Sequence, residues 1–208
     1  MTQIKILIIP GDGIGPEVTT GGKQILQKIG QLFDHQFCFE EADMGHIAIE
    51  KTGQPLPEKT LQLAKSSQAI LFGSIGHPKY DNNPSAKVRP EQGLLQIRQE
   101  LGLFANLRPI KIFDDLLEAS PIKREILQGS DILFFRELTG GIYFGQPRER
   151  RDNGNTALDT MIYTKEEVRR IAIMAFEAAS QRRKKVTSVD KANVLESSRL
   201  WRETVNEV

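Results

Sequence analysis

The sequence predicts an α/β fold with a largely parallel sheet. Two apolar runs, IKILIIP (Ile4–Pro10) and AILFGSIG (Ala69–Gly76), have the continuous hydrophobicity of buried strands. The segments around them carry apolar residues at helical spacing, in the order β-α-β-α-β. That order is typical of a parallel sheet, because the intervening helices return the chain to the same edge.

The first strand leads into a glycine loop, GDGIGPE (Gly11–Glu17). Its spacing is G-x-G-x-G rather than the G-x-G-x-x-G of the dinucleotide fingerprint. Pro16 has no N–H for a phosphate, but its fixed φ suits the first turn of a helix. The sequence therefore predicts a helix from Pro16 to about Ile29, weakened by about 1 kcal/mol at each glycine of the pair Gly21–Gly22.

Further elements follow in the N-terminal half. QFCFEEAD (36–43) alternates like a strand, and a helix is predicted to begin at Pro57. The polar loop Gly76–Pro90 is long enough to indicate a functional role. An amphipathic helix is predicted over Glu91–Leu101.

In the C-terminal half, strands are predicted at ANLRPIKI (105–112) and DILFFREL (131–138). The clearest helix begins after Thr164, with Glu167 completing a capping box. KVTSVDKANVL (185–195) is predicted to be a strand and its exit. The last helical pattern runs to Val208 without a stop signal, so we expect the sequence to be cut off there.

Composition excludes several classes of protein. The net charge of +1 gives no field that favours nucleic acid or an anionic membrane, and no apolar stretch has the length of a membrane span. Cys38 is the single cysteine, which fits a reducing compartment, and no Cys/His spacing typical of zinc sites is present. The sequence thus predicts a cytoplasmic protein that binds neither nucleic acid nor membrane.

Three arginines lie at or near the ends of apolar elements: Arg98, Arg108 and Arg136. A guanidinium fork binds a carboxylate through two hydrogen bonds, so such a set suggests a small dicarboxylate substrate. Tyr143, after two glycines, could protonate a carbanion or enolate, and Lys191 could serve as a base. Each of these five is also compatible with an ordinary surface or packing role.

Four blocks carry a resemblance to the β-decarboxylating dehydrogenase family, and within it to the 3-isopropylmalate dehydrogenases. They are GDGIGPEV, RPEQGLLQIRQELGLFANLRP, FRELTGGIYFGQPRE and DKANVLESSRLWR. The resemblance implies a truncated two-domain isopropylmalate/isocitrate dehydrogenase-like fold, which is not a Rossmann fold. It places the first domain at 1–103 and the second, incomplete, at 104–208, with a dimerisation arm at about 139–163.

The resemblance also implies a reaction, NAD-dependent oxidative decarboxylation of 3-isopropylmalate in leucine biosynthesis, by a homodimer that uses Mg²⁺ or Mn²⁺. The arginines would bind the malate carboxylates, Tyr143 would protonate the enol, and Lys191 of the second subunit would join the proton relay. Cofactor-binding positions are implied within or near the loop 76–91 and elsewhere: Ile14, Gly76, His77, Lys79, Glu91 and Asn193. The metal-binding aspartates of the family would lie beyond Val208.

One helix distinguishes substrates within the family. Leu94 and Leu95 precede Arg98, and Val194 could join them from the partner subunit. An apolar patch suits an isopropyl group, whereas a third carboxylate buried there would cost several kcal/mol. A homoisocitrate or tartrate enzyme is the minor alternative.

A second hypothesis is that the 208-residue chain is a non-catalytic fragment or a dimerising remnant. Without the metal aspartates we expect the chain alone to lack Mg²⁺-dependent dehydrogenase activity.

Overall fold

A computed structural model describes residues 3–81, 83 and 85–208 of the chain. Contacts divide it into two compact units, Met1–Leu101 and Gly102–Val208, here called the N-terminal and C-terminal units. Asn82 and Pro84, which fall in the loop 76–91 singled out above, lie outside the described residues.

The N-terminal unit is built on a parallel sheet of three strands: β1 (Gln3–Gly11), β2 (Gln36–Glu41) and β3 (Ala69–Ser74). The order is β2-β1-β3, so the first strand lies in the middle, as its continuous apolar sequence requires. In the described part of this unit, five helices accompany the sheet: α1 (Gly15–Phe33), α2 (His46–Thr52), α3 (Glu58–Lys65), α4 (Pro78–Asp81) and α5 (Pro90–Glu100).

The core of this unit joins the central strand to α3 and α5. Leu7 and Ile9 of β1 are fully buried and cluster with buried side chains of the following segments: Met44, Leu56, Leu61, Ala64 and Ile97. Side chains from the strand and from two helices thus exclude water on one face of the sheet. The carboxyl ends of β1 and β3 are thereby held in fixed positions.

Helix α1 is longer than its sequence predicts, ending at Phe33 rather than near Ile29. Gly30 lies inside the helix, where its missing side chain lets the returning chain approach closely. A Cβ at Gly30 would lie 2.8 Å from the carbonyl oxygen of His35. Asp34 ends the helix in the left-handed region, with φ of 55°.

The C-terminal unit contains two antiparallel pairs of strands. β4 (Ala105–Lys111) pairs with β5 (Asp131–Glu137), and β6 (Arg148–Arg151) pairs with β7 (Thr156–Asp159). Its helices are α6 (Arg124–Leu127), α7 (Lys165–Ser180) and α8 (Glu196–Glu207), with short 3-10 turns at Asp114–Ala119 and Asp152–Gly154. The predicted capping box is confirmed, because the Thr164 side chain accepts from the Glu167 N–H and the Glu167 carboxylate accepts from the Thr164 N–H.

The predicted strand at 185–195 is wrong. Residues 185–190 form no regular element, and Lys191–Asn193 begin a turn in which the N–H groups of Val194 and Leu195 donate to the Lys191 carbonyl. A strand exists only through pairing, and among the described residues no strand pairs with this segment. In the same described part of the chain, no helix is long and apolar enough to cross a membrane.

Candidate active site

In the N-terminal unit, three predicted cofactor-binding residues meet at the carboxyl edge of the sheet. Ile14 follows β1, while Gly76 and His77 follow β3. Because the chain leaves β1 for β2 on one side and reaches β3 on the other, this edge is a topological switch point. Ligands of open α/β sheets bind at such points.

Asp12 organises this edge, a role that the sequence alone did not reveal. Its side chain is buried and accepts backbone N–H groups from His46 at 3.0 Å, Gly76 at 3.1 Å and Ile47 at 3.3 Å. Its own backbone N–H donates to the Ser74 carbonyl at 2.7 Å. One carboxylate therefore joins the glycine loop, the start of α2 and the loop after β3.

Two histidines stack beside this carboxylate. The rings of His46 and His77 lie 3.9 Å apart between centroids, and His46 Nδ1 is 3.2 Å from the Tyr80 hydroxyl. Next to them, Lys79 Nζ donates to Glu50 Oε1 at 2.5 Å. The hydrogen bond from Lys79 lowers the pKa of the Glu50 carboxyl, and the same bond raises the pKa of Lys79.

The loop 76–90 is anchored at its far end as well. Arg89, which precedes α5, donates from its guanidinium to the Tyr80 carbonyl at 2.7 Å and to the Asn83 carbonyl at 2.8 Å. Gly76 has a φ of 132°, a conformation that requires glycine, and a side chain there would lie 3.4 Å from the Glu91 carboxylate. The loop thus brings Gly76 close to Glu91.

Helix α5 presents its predicted residues on one side. Glu91 and Arg98 each lie three or four positions from Leu94 and Leu95, so all four fall on one broad side of the helix. Leu94 packs against the core of the unit, whereas Leu95 is half-buried outside that cluster. Leu94 therefore has a structural role that its predicted substrate contact did not include.

In the C-terminal unit, the sheet β4–β5 brings Arg108 and Arg136 to one face. Arg136 pairs with Asn106, and Arg108 lies two residues further along β4, so all three side chains project on the same side. The Arg108 Nε donates to the Asn106 side-chain oxygen at 2.7 Å. Both arginines are exposed, and Arg98 belongs to the other unit.

Tyr143 joins the arginine face. The Arg136 Nη2 donates to the Tyr143 hydroxyl at 2.7 Å, and the guanidinium carbon lies 5.7 Å from the centre of the tyrosine ring. Tyr143 remains 41% exposed, so the unit does not enclose this residue. A cationic donor, a second guanidinium and a phenol are thus available to an anionic molecule on this face.

Lys191, Asn193 and Val194 lie together on an exposed turn. Asp190 fixes the turn: its carboxylate accepts from Arg202 Nη2 at 2.7 Å and Nε at 3.0 Å, and from the Ala192 N–H at 3.0 Å. The two-pronged bond from Arg202, and then the Ala192 N–H, lower the pKa of the Asp190 carboxyl. The lysine is presented to solvent by a rigid support.

The two implied cofactors differ in how well these residues suit them. A nicotinamide ring needs an apolar surface, and its carboxamide needs a hydrogen-bond acceptor. Exposed Ile14 and the bare backbone of Gly76 supply the surface, and the Glu91 carboxylate near Gly76 supplies the acceptor. For a metal the result is negative: within residues 3–81, 83 and 85–208, no group of three or more His, Cys, Asp or Glu residues could hold an ion. The described residues therefore do not make a Mg²⁺ or Mn²⁺ site.

Comparisons with known proteins identify the family of the chain. The sequence profile of the family "Isocitrate/isopropylmalate dehydrogenase" matches residues 5–208. A 3-isopropylmalate dehydrogenase of Priestia megaterium is 55% identical over 206 residues, which are 98% of this chain and 56% of that protein. One of Shouchella clausii is 56% identical over 206 residues, with the same two coverages of 98% and 56%.

Among solved structures, a β-decarboxylating dehydrogenase of Thermococcus kodakarensis in its apo form is similar, with a TM-score of 0.68 and 32% identity. The likeness covers 98% of this chain and 54% of that one. The chain thus spans little more than half the length of the proteins that it matches.

Proposed function

The chain belongs to the isocitrate/isopropylmalate dehydrogenase family, and from that premise we propose that it is the N-terminal part of a 3-isopropylmalate dehydrogenase. The reaction is the NAD-dependent oxidative decarboxylation of 3-isopropylmalate to 4-methyl-2-oxopentanoate, in cytoplasmic leucine biosynthesis. The working protein is a homodimer.

The observation that carries this proposal is the contact of Arg136 with Tyr143 on the face that also presents Arg108. Each guanidinium binds a substrate carboxylate through parallel hydrogen bonds. After decarboxylation, the Tyr143 hydroxyl gives its proton to the enolate carbon, and the Arg136 fork beside it stabilises the phenolate that remains. Ile14, Gly76 and Glu91 would hold the nicotinamide end of NAD, which would supply the hydride acceptor for the secondary alcohol.

Lys191 supplies the base for the substrate hydroxyl. Its exposed turn suits a role across a dimer interface, where a lysine extends into the site of the neighbouring subunit. The exposed hairpin β6–β7 lies in the proposed dimerisation arm, and all four residues of β6 face solvent in the single chain. A two-stranded hairpin leaves unpaired N–H and C=O groups on the outer side of each strand, and a second chain can pair with them.

The isopropyl group is recognised by α5 and by Val194 of the neighbouring subunit. Leu95 is the better contact in this chain, because Leu94 already packs against the core of the N-terminal unit. Apolar contact at this position favours 3-isopropylmalate over the substrates of homoisocitrate or tartrate enzymes, by about 1–3 kcal/mol for each methylene buried.

The test is a chimera that joins residues 1–208 to the remaining C-terminal part of the Priestia megaterium relative. Incubated with 3-isopropylmalate, NAD and Mg²⁺, it should form NADH, while Arg136→Lys should lose most of the activity because an ammonium cannot reproduce the fork. An inactive, well-folded chimera, or an Arg136→Lys variant as active as its parent, would contradict the proposal.

A non-catalytic fragment or dimerising remnant is the second candidate. It is favoured by the exposed hairpin β6–β7, which a second chain could pair with whether or not this chain catalyses a reaction. The two candidates are separated by measuring dehydrogenase activity of the 208-residue chain by itself and of the chimera. An inactive chain with an active chimera shows that the catalytic residues of this part are intact.

A further inference from the structure

The carboxylate of Glu137 has no role in the proposed reaction, yet it is the most buried charged group near Tyr143. Only 1% of its side chain is exposed. Oε2 accepts the Thr139 N–H at 2.9 Å and the Gly140 N–H at 2.7 Å. Oε1 accepts the Thr139 hydroxyl at 2.7 Å and Arg170 Nη2 at 2.9 Å.

This carboxylate is held by rigid elements on two sides. Glu137 is the last residue of β5, and its partner Arg170 lies in the middle of α7. The Arg170 guanidinium is itself fixed, since its carbon sits 4.5 Å from the centre of the Phe104 ring. Removing Arg170 would leave the buried Glu137 carboxylate without its counter-charge, so the pair holds the end of β5 against α7.

The turn that Glu137 binds is closed from the other side by Tyr163. A side chain at Gly141 would lie 2.6 Å from the Tyr163 hydroxyl, and Gly141 itself has a φ of 76°. Backbone bonds between Gly141 and Ile162 complete the closure, the shorter at 2.7 Å. Burial, and then the Glu137 and Glu167 carboxylates, raise the pKa of Tyr163, so its phenol stays neutral.

Tyr143 follows this turn by two residues and needs such support. Its bond to Arg136 is exposed, and an exposed contact between long side chains is worth little by itself against rotamer entropy. Side chains alternate along β5, so Arg136 projects to the solvent face while Glu137 projects into the unit. The end of β5 therefore positions both members of the Arg136–Tyr143 hydrogen bond. Arg136 belongs to the strand itself, and Tyr143 is held through the turn that Glu137 binds.

We propose that Glu137 is a positioning residue for Tyr143: its carboxylate fixes the Thr139–Gly141 turn, which holds the Tyr143 hydroxyl against Arg136. The proposal rests on the proposed function for its catalytic meaning. The contact it predicts, however, can be measured without substrate or cofactor.

The experiment uses the 208-residue chain labelled with ¹³C at the tyrosine Cζ atoms. The chain has three tyrosines, and Tyr143→Phe assigns the signal of interest. Arg136→Met gives the chemical shift of Tyr143 Cζ when the hydrogen bond from Arg136 is absent. Glu137→Gln should move the Tyr143 signal at least halfway toward that position. Each carboxylate oxygen of Glu137 accepts two hydrogen bonds, whereas the glutamine amide has only one acceptor oxygen.

Two further variants complete the test. Thr139→Val removes one hydroxyl from the cluster with little change of shape, and it should move the Tyr143 signal in the same direction even if Glu137→Gln does not fold. The matched control is Glu149→Gln, whose carboxylate pairs with Arg151 on the exposed strand β6. It should leave the signal in place.

A Tyr143 signal within a linewidth of the parent in Thr139→Val and in any folded Glu137→Gln protein would overturn the inference. An inactive chimera would instead overturn the proposed function and leave this result standing.

Discussion

Replacing Asp12 by alanine should destabilise the N-terminal unit more than any other single exchange of a polar residue in the glycine loop. The buried carboxylate accepts three backbone N–H groups, at 3.0, 3.1 and 3.3 Å. Alanine leaves these donors without their acceptor, and the closely packed surroundings limit the access of water. A side chain at Gly45 would approach the Asp12 Oδ2 to 2.5 Å, which shows how tightly the carboxylate is enclosed.

The magnitude follows from the two shorter bonds. A hydrogen bond to a charged acceptor contributes about 1.5–3 kcal/mol, so the loss of two is on the order of 3–6 kcal/mol. With a urea m-value of about 1–3 kcal/mol/M, the unfolding midpoint should fall by at least about 1 M. Asp12→Asn should lose less of the free energy of unfolding, because the amide oxygen can still accept the N–H groups that one carboxylate oxygen accepted.

The assay combines urea unfolding with hydrogen exchange. Trp201 is the only tryptophan and reports on the C-terminal unit, while far-UV circular dichroism reports on both units. Mass spectrometry should show faster exchange in peptides covering His46, Ile47 and Gly76. The control is Asp43→Asn, which removes an exposed ion pair with Lys51 and should change the midpoint little. Equal midpoints and equal exchange for Asp12→Ala and Asp43→Asn would refute the reasoning.

Three other predictions concern single positions. The lowered pKa of Asp190 means that its bond to Arg202 stabilises the fold above about pH 4 and ceases to do so as the pH falls through the folded value. In scanning calorimetry Asp190→Asn should therefore lower Tm at pH 7, with a difference that shrinks below pH 4; a constant difference would contradict this. Gly21→Ala faces open space and should raise the free energy of unfolding by about 0.5–1 kcal/mol, whereas at Gly22 the new Cβ would lie 3.3 Å from a leucine methyl of β3 and should gain less. In the chimera, Leu95→Asn should reduce kcat/KM for 3-isopropylmalate about 10–200-fold, and an unchanged value would remove Leu95 from the pocket.

Local patterns predicted much of this fold. The buried strands β1 and β3 were identified from continuous apolar runs, and α7 from its spacing and capping box. The family and its fold were predicted from four sequence blocks, and both predictions are confirmed. These features are encoded within a few consecutive residues, where side-chain chemistry and period suffice.

The errors and omissions share a different cause. The strand predicted at 185–195 had suitable residues, but pairing depends on a neighbour that no local pattern specifies. The contact of Asp12 with Gly76 spans 64 positions, and the stack of His46 on His77 joins the start of α2 to the loop after β3. An aspartate between glycines has no local signal that names its distant partners. The sequence likewise predicted the apolar side of α5, but not that Leu94 packs against the core while Leu95 makes no such contact.

The glycine loop has a structural role opposite to that of a phosphate loop. In a phosphate loop, glycines open the backbone so that the N–H groups at a helix start bind an external anion. Here the anion is internal, because the Asp12 carboxylate already binds the N–H groups of His46 and Ile47 at the start of α2. Glu137 does the same for the glycine turn before Tyr143. A cofactor phosphate that approached the start of α2 would meet a buried negative charge instead of free donors.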